Sequence, residues 1–432
     1  MQDTFFSFWG TVSEISSFGI KVEGFNDFVG VGDEIRITCD GTDVLGEILH
    51  IGKHDSSALL FENANAIRIG DRVSLQSSKT IQIGSHWQGA VVDYRGLPMS
   101  ERASPPLSSG DSVTFDLSSH EPPPHKRRAM GARLDTGMQI TDTLLPICKG
   151  QRMGLFAGSG VGKSSLILNL AKGLKADRVI IALIGERSRE ISDFARALFK
   201  DGLENKATIV AATASDPPGT KKRAALSAIA AAEYYRDQGE HVLFLFDSIT
   251  RFAEAHREVA LMGGETPALN AFPPSTVRVI SELAERAGPG AKGQGDITAI
   301  FSVLVAGSDM EEPVADMIRG ILDGHIILSR DIAERGRYPA IDVLRSVSRS
   351  LPHAATPDEN ALIREYRTLI ATYDRILPMI RADLYVAGQD EVADKAINLF
   401  EDLDAFVSVQ SEGPLQVSFQ ALRALLKQPE KT

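Results

Sequence analysis

The stretch AGSGVGKS, residues 157–164, decides the fold of this chain. It follows the short apolar run MGLF (153–156) and leads into SSLILNLAKGL (164–174), whose apolar residues recur at helical spacing. The stretch therefore lies between a strand and a helix. Glycines at this spacing let backbone N–H groups converge on phosphate oxygens, and the following helix N-terminus adds its dipole. We expect a phosphate-binding loop here.

The polar residues of the loop suggest its ligands. Lys163 is expected to reach the β and γ phosphates of a nucleotide, and Ser164 to bind the magnesium ion that bridges them. The general motif begins with glycine, whereas this chain has Ala157, which removes backbone freedom but no ligating group. A glycine-rich turn without a ligand is disfavoured by the flanking strand and helix. The predicted nucleotide contacts in this segment are Gly158, Ser159, Gly160, Val161, Gly162, Lys163, Ser164 and Ser165.

Continuous apolar runs alternate with helical patterns after the loop. This arrangement predicts a parallel sheet covered by helices on both faces. Ligands of such sheets bind beyond the carboxyl ends of the strands, so polar residues at those ends are candidates for the site. The runs are RVIIALIG (178–185), HVLFLFD (241–247), DITAIFSVLVAG (296–307) and GHIILS (324–329).

Two carboxylates follow such runs. Asp247 ends one of them, where it can hold a magnesium shell, and Glu186 follows another, where it can polarise an attacking water. A glutamate at a strand end is also often a helix cap, so the sheet edge is what favours Glu186. Arginines stand nearby or beyond the last strand, and the sequence does not choose among them: Arg187, Arg189, Arg251 and Arg349.

The flanking regions differ in character. Short β-rich runs between residues 8 and 76 predict a small antiparallel barrel with a structural role, such as subunit contact. Proline-rich segments predict a linker, in which we interpret the basic run 126–128 as a solvated surface. From Thr356, with Glu359 completing a capping box, helices are expected, including 391–406 and 418–427. The predicted domains are 1–95 (barrel), 96–130 (linker), 131–352 (α/β core) and 353–432 (helical).

Composition excludes several classes of protein. The chain has 432 residues and a net charge of −11, which argues against a duplex nucleic-acid binder. Cys39 and Cys148 lack metal-ligand spacing, and we expect two reduced structural thiols in a cytosolic protein. No signal peptide is evident and no apolar run is long enough to cross a bilayer, so any membrane attachment is expected to be peripheral.

An ordered set of segments resembles the flagellar and type III secretion export ATPases. They are FAGSGVGKSSL, IGERSREI, AEYYRDQG, LFDSITRFA, FPPS, ERAGPG and EPVADMIRGILDGHIILSRDIAERGRYPAIDVLRSVSR. The resemblance implies a RecA-like P-loop core, similar to the catalytic subunits of rotary ATP synthases, in a homohexameric ring around a central stalk. It also implies a cytoplasmic protein, peripheral at the inner face of the membrane. Its expected partners are export-apparatus membrane proteins, a stator-like regulator, exported proteins and their chaperones, and no nucleic acid.

The same resemblance implies residue roles for hydrolysis of ATP with Mg²⁺. Lys163 and Ser164 bind phosphate and magnesium, Glu186 is the catalytic carboxylate, and Asp247 belongs to the magnesium shell. Arg349 is the arginine finger offered to a neighbouring subunit, and Arg189 and Arg251 are auxiliary phosphate-facing residues. Tyr338 corresponds to the aromatic residue that packs on adenine, although a core tyrosine beside Pro339 is a competing interpretation.

The chain departs from the family pattern in three places. Members usually carry a longer segment before the barrel that binds the stator-like regulator, whereas here the first predicted strand begins within about ten residues of Met1. That route of binding is therefore not implied. An acidic pair of the family is reduced to one acid in the segment 307–310 (GSDM), and SDPPGTKK (215–222) differs in detail.

Three alternatives remain open from the sequence. They are a rotary ATP synthase-type catalytic subunit, a hexameric RNA translocase, and a nucleotide-binding subunit without activity. The negative charge and the lack of aromatic-basic motifs in the barrel weigh against RNA. Nothing in the sequence separates a flagellar from a virulence-associated system.

Overall fold

A computed structural model describes residues 9–16, 19–39, 42–76, 79–99, 112–118, 120–200, 202–268, 272–305, 310–411 and 413–427. The chain divides into two compact units. Unit 1 comprises Met1–Glu121, Val179–Tyr235 and Phe246–Arg286, and unit 2 comprises Pro122–Arg178, Arg236–Leu245 and Ala287–Thr432.

Within unit 1, the first six strands of the described chain close an antiparallel barrel in the order β1-β2-β5-β4-β3-β6. Alternation builds its core, since Ile35 and Ile37 of β3 are fully buried and Arg36 between them is not. The predicted barrel is confirmed. The strands are β1 (Trp9–Ile15), β2 (Gly19–Glu23), β3 (Glu34–Cys39), β4 (Thr42–Ile51), β5 (Asp55–Leu60) and β6 (Arg72–Leu75), followed by β7 (Thr80–Gly84), β8 (Val91–Val92) and β9 (Ser112–Asp116).

Helices and strands alternate from residue 139 to residue 348, as the parallel α/β core requires. They are α1 (Gln139–Thr143), β10 (Arg152–Ala157), α2 (Lys163–Gly173), β11 (Arg178–Glu186), α3 (Ser188–Lys200), β12 (Ala207–Thr213), α4 (Pro218–Asp237), β13 (His241–Asp247), α5 (Ile249–Met262), α6 (Ser275–Glu285), β14 (Gly288–Pro289), β15 (Asp296–Leu304), α7 (Pro313–Ile321), β16 (Gly324–Leu328), α8 (Arg330–Glu334) and β17 (Val347–Ser348).

The strand pairing confirms the predicted sheet. In unit 2 the order is β17-β16-β10-β15, and β10 pairs in parallel with both β15 and β16. In unit 1 the order is β11-β12-β8, also parallel. Strands such as β13 are buried along their whole length, which explains why they read as unbroken apolar runs.

The predicted domain limits remain a prediction, and two short strands depart from a simple division. β8 belongs to the barrel segment of the sequence but pairs with β12. β9 falls inside the segment predicted as a linker and pairs with β7. Residues 100–111 of that segment lie outside the described residues.

The C-terminal helices of unit 2 are α9 (Pro357–Arg381), α10 (Glu391–Phe406) and α11 (Leu415–Leu426). The predicted capping box starts α9: the Glu359 N–H donates to Thr356 Oγ1 at 3.2 Å, and the Thr356 N–H donates to Glu359 Oε2 at 2.9 Å. Tyr366 and Leu369 lie on the buried face of α9. Nowhere in the described part of the chain is a helix long and apolar enough to span a membrane.

Polar contacts join the barrel to α4 within unit 1. Arg223 on α4 forms a buried ion pair with Glu34 of β3. Thr220 donates from its hydroxyl to the Phe61 carbonyl, and Ser227 donates to the Tyr94 carbonyl at 2.7 Å. Specific polar contacts therefore fix the barrel segment to this helix.

The basic run 126–128, interpreted as a solvated surface, is partly exposed, but both of its arginines also bind the backbone. Arg127 donates to the Ala287 carbonyl at 3.3 Å. Arg128 donates to carbonyls of residues 290, 294 and 295 and forms an ion pair with Asp296 at 2.6 Å. These arginines anchor the chain before the core, because a planar guanidinium can satisfy several carbonyls at once.

The two cysteines are buried, as expected for structural thiols. Cys39 lies in the barrel core. Burial raises the pKa of the Cys148 thiol, which keeps it protonated and unreactive.

The buried ion pair of Arg286 and Glu233 in unit 1 gives a stability prediction. Both side chains are at most 4% exposed, and Glu233 also accepts from the His120 N–H at 3.2 Å. Glu233→Ala strands a buried guanidinium and is expected to cost about 3–5 kcal/mol of unfolding free energy. Chemical denaturation monitored by circular dichroism measures the loss.

The matched control is Glu282→Ala, which breaks the ion pair with Arg278 on the surface of α6, where both side chains are more than half exposed. We expect a cost below about 1 kcal/mol for this pair. Equal losses in the two variants would contradict the assignment of stability to the buried pair.

Candidate functional site

The predicted phosphate loop lies where the sequence places it, between β10 and α2 in unit 2. Gly160 and Gly162 have φ of 78° and 91°, and Gly162 is the N-cap residue of α2. Only glycine adopts these angles readily. Val161 is buried and anchors the loop, while Ser159, Gly160, Ser164 and Ser165 are exposed. The first backbone N–H groups of α2 have no partner within the helix and can therefore bind an anion.

The position of Ala157 explains why the chain has alanine where the general motif has glycine. It is the last residue of β10, fully buried, and it pairs with Leu304 and Leu328 of the neighbouring strands. Because it belongs to the strand and not to the turn, a Cβ atom is accommodated there.

The structure brings Tyr338 against this loop. A Cβ atom added at Gly162 would lie 3.2 Å from Cδ1 and 3.3 Å from Cε1 of the Tyr338 ring. The tyrosine side chain is 51% exposed, so it is not a core residue. An exposed ring beside a phosphate loop can stack on a planar base.

The structure places Arg349 at the amino end of β16 in unit 2, opposite to the strand ends that lead to the phosphate loop. Its backbone N–H donates to the Asp323 carbonyl at 3.0 Å, and Nη2 donates to the Arg319 carbonyl at 3.3 Å. Asp323 precedes β16, whereas Leu328 at the end of β16 pairs with Ala157. Five residues of strand span about 16 Å, which exceeds the reach of one arginine side chain. Arg349 therefore does not reach the phosphate loop of its own chain.

Glu186 and Arg251 come together in unit 1. The pairing of β11 with β12 shifts register between Ile184 and Glu186, at Gly185, whose φ is 74°. A Cβ atom added at Gly185 would lie 3.0 Å from Cβ and 3.1 Å from Cγ of Arg251. The glycine thus lets the Arg251 side chain cross the strand end beside Glu186, which is half-buried.

Asp247 lies at the end of β13 and is 4% exposed. Ser248 follows it as the N-cap residue of α5 and accepts a hydrogen bond from the Arg251 N–H at 3.4 Å. Asp247, Ser248 and Arg251 are therefore placed by one strand-to-helix turn. Arg251 also forms an ion pair with Glu254 at 2.9 Å.

Arg187 and Arg189 are mainly solvent-exposed at the start of α3. The exposed fractions of their side chains are 83% and 91%, and their ion-pair partners are Glu190 and Asp193 on the same helix. The geometry gives Arg189 no special position, and its role stays a prediction.

In the described part of the chain, no group of three or more His, Cys, Asp or Glu side chains could hold a metal ion. A magnesium ion bound mainly by nucleotide phosphates and water needs no such group. The hydroxyl of Ser164 and the carboxylate of Asp247 are hard oxygen donors of the kind that magnesium prefers, so they fit the predicted role.

Sequence reasoning missed the residues whose hydrogen bonds position the predicted site residues. Gln151 is fully buried and donates to the Asp323 carbonyl and the Ser348 hydroxyl, both at 3.1 Å. It thereby fixes the strand end that carries Arg349. Arg337 similarly binds the turn that carries Tyr338. The contacts of Gln151 join distant segments, and no sequence motif predicts either set of contacts.

Two family models match the chain. The model of the ATP synthase alpha/beta family, nucleotide-binding domain, matches residues 137–348. The model of the T3SS EscN ATPase C-terminal domain matches residues 355–428.

Similar proteins carry flagellar and secretion names. The "Flagellum-specific ATP synthase" of Caulobacter vibrioides is 38% identical over 94% of this chain and 92% of its own length. That of Salmonella typhimurium is 41% identical over 79% of this chain and 74% of its own length. The assembled ATPase EscN of enteropathogenic E. coli has a TM-score of 0.89 and 34% identity, covering 96% of this chain and 100% of that one. EscN in complex with its central stalk EscO has a TM-score of 0.86.

The contact between Gly162 and Tyr338 gives a prediction for the loop. Gly162→Ala adds a Cβ atom at positive φ, which costs about 1–2 kcal/mol, and forces the Tyr338 ring aside. We expect a lower melting temperature and weaker binding of ATP by calorimetry.

Gly320→Ala is the matched control, because a Cβ atom at this helical glycine meets no atom within 4 Å. We expect the unfolding free energy to stay unchanged or to rise by at most about 1 kcal/mol, so the melting temperature should not fall. Unaltered ATP binding in Gly162→Ala would refute the fit of glycine at the loop.

Proposed function

The chain belongs to the family of flagellum-specific ATP synthases and type III secretion ATPases, and we propose that a ring of its copies hydrolyses Mg²⁺-bound ATP to assist protein export through a membrane apparatus. The match of residues 355–428 to the secretion ATPase C-terminal domain favours export over a rotary ATP synthase subunit. The net charge of −11 disfavours RNA translocation.

One observation supports the proposal of a ring. Arg349 lies at the amino end of β16, whereas the phosphate loop of the same chain lies at the carboxyl end of the neighbouring strand. An exposed arginine that cannot serve its own nucleotide is suited to serve the nucleotide of a neighbouring copy. In a closed ring each copy then supplies the finger for the next one. The assembled state of the similar EscN supports this arrangement.

The proposed roles of the other residues follow their chemistry. Backbone N–H groups of the segment 158–165 and Lys163 bind phosphate, and Ser164 and Asp247 hold magnesium. Glu186 accepts a proton from the attacking water, and Arg251 and Arg189 are auxiliary phosphate-facing residues. Tyr338 stacks on adenine.

The proposed partners are those that an export ATPase needs. We assign a homohexamer, a central stalk protein, a stator-like regulator, export-apparatus membrane proteins, and exported proteins with their chaperones. The complex of EscN with its stalk EscO supports the stalk partner. The proposed location is the cytoplasm, peripheral at the inner face of the membrane.

The finger in trans gives a prediction for mixed rings. Lys163→Ala and Arg349→Ala are each expected to lower kcat by about a thousandfold or more. When the two chains are mixed, about a quarter of the interfaces pair an intact loop with an intact finger. ATPase activity should therefore reappear on mixing, as measured by phosphate release after joint refolding or co-expression.

Rings made by mixing each variant with itself control for the procedure. A mixture as inactive as its components, although size-exclusion chromatography shows that it assembles, would contradict a site shared between copies.

The role of Glu186 gives a second prediction. Glu186→Gln keeps the side-chain shape but removes the base, so kcat should fall by about 10²–10⁴-fold while the Kd for ATP changes little. Phosphate release and calorimetry measure the two quantities. Glu190→Gln, which removes an exposed carboxylate from the same segment, should retain activity. An unchanged turnover in Glu186→Gln would remove this residue from the catalytic role.

A further inference from the structure

The turn that carries Tyr338 is closed by the preceding residue. Arg337 Nη1 donates to the Pro339 carbonyl at 2.8 Å and to the Ile341 carbonyl at 3.0 Å. The guanidinium therefore folds back onto two carbonyls that follow Tyr338. This turn presents the Tyr338 ring to Gly162 at the start of α2.

The other side of the same guanidinium faces the C-terminal helices. Arg337 Nε lies 3.2 Å from Oδ1 of Asp404 on α10, and the Arg337 side chain is only 10% exposed. Burial lowers the pKa of Arg337, and the carboxylate of Asp404 opposes this shift. A buried guanidinium without a counter-charge is costly, and Asp404 supplies that counter-charge to Arg337.

Further hydrogen bonds join α9 to α10 and α9 to the segment that follows the turn. The Tyr366 hydroxyl on α9 donates to the carbonyl of Leu403, which precedes Asp404, at 2.9 Å. Arg367 donates to the Ser346 carbonyl at 3.0 Å, just beyond the turn. The ion pair with Asp404 thus connects α10 directly to Arg337.

We propose that Arg337, held by Asp404, is a positioning residue that keeps Tyr338 against the phosphate loop and so sets the affinity for the adenine end of the nucleotide. This inference rests on the proposed stacking of Tyr338 on adenine. It adds a route of regulation: whatever moves α10 changes the affinity for ATP without changing the contacts to phosphate.

The experiment compares two ligands across a double-mutant cycle. Asp404→Asn should raise the Kd for ATP about three- to tenfold, the range of one weakened aromatic contact. It should leave kcat at saturating ATP and the Ki of inorganic tripolyphosphate unchanged. In a Tyr338→Ala background, which itself weakens ATP binding, Asp404→Asn should have no further effect. Arg337→Lys, which keeps the charge but loses the fork of donors, should reproduce the Asp404→Asn result.

Glu401→Gln, which removes an exposed carboxylate from the same helix, is the control and should alter neither ligand. If Tyr338→Ala leaves the Kd for ATP unchanged, the stacking role itself is refuted. If Tyr338→Ala weakens ATP binding but Asp404→Asn and Arg337→Lys do not, only the positioning role is refuted. An equal loss of ATP and tripolyphosphate binding, or a full effect in the Tyr338→Ala background, would also overturn it.

Discussion

The parallel pairing of β10 with both β15 and β16 is the constraint on which the site depends. It directs the carboxyl end of β10 into the phosphate loop and sets the register in which Ala157 lies beside Leu328. The chain that follows β16 then returns Tyr338 to the loop. The antiparallel pairing of β16 with β17 holds Arg349 beside Asp323, at the opposite end of β16. The strand pairing of unit 2 thus places the Tyr338 ring against the loop and Arg349 away from it.

Much of the site could be predicted from sequence, because its signals are local. The glycines and the lysine of the phosphate loop lie within eight residues, and the carboxylates of Glu186 and Asp247 follow unbroken apolar strands. Such patterns need only the direction of a parallel strand to be placed at its carboxyl end. The barrel could also be predicted from sequence, since alternation and turn residues define its strands.

The remaining features depend on contacts between distant segments. Arg128 is typical of a solvated basic run in the sequence, but its partners are Asp296 and backbone carbonyls some 160 residues further along the chain. The same is true of Arg337, whose carboxylate partner Asp404 lies much further along the chain, on α10. Backbone carbonyls carry no sequence signal, and a single long-range ion pair has none either. The contacts of these arginines can therefore be seen only in the folded structure.

The central claim is that one copy of this chain completes the nucleotide site of the next. Its most direct test is a structure of the assembled protein with Mg²⁺ and a non-hydrolysable ATP analogue. The account predicts that the Arg349 guanidinium leaves the Arg319 carbonyl and lies within about 3.5 Å of the terminal phosphate bound by the neighbouring copy. An assembly in which Arg349 stays on that carbonyl, with no cation from a neighbour at the phosphate, would contradict it.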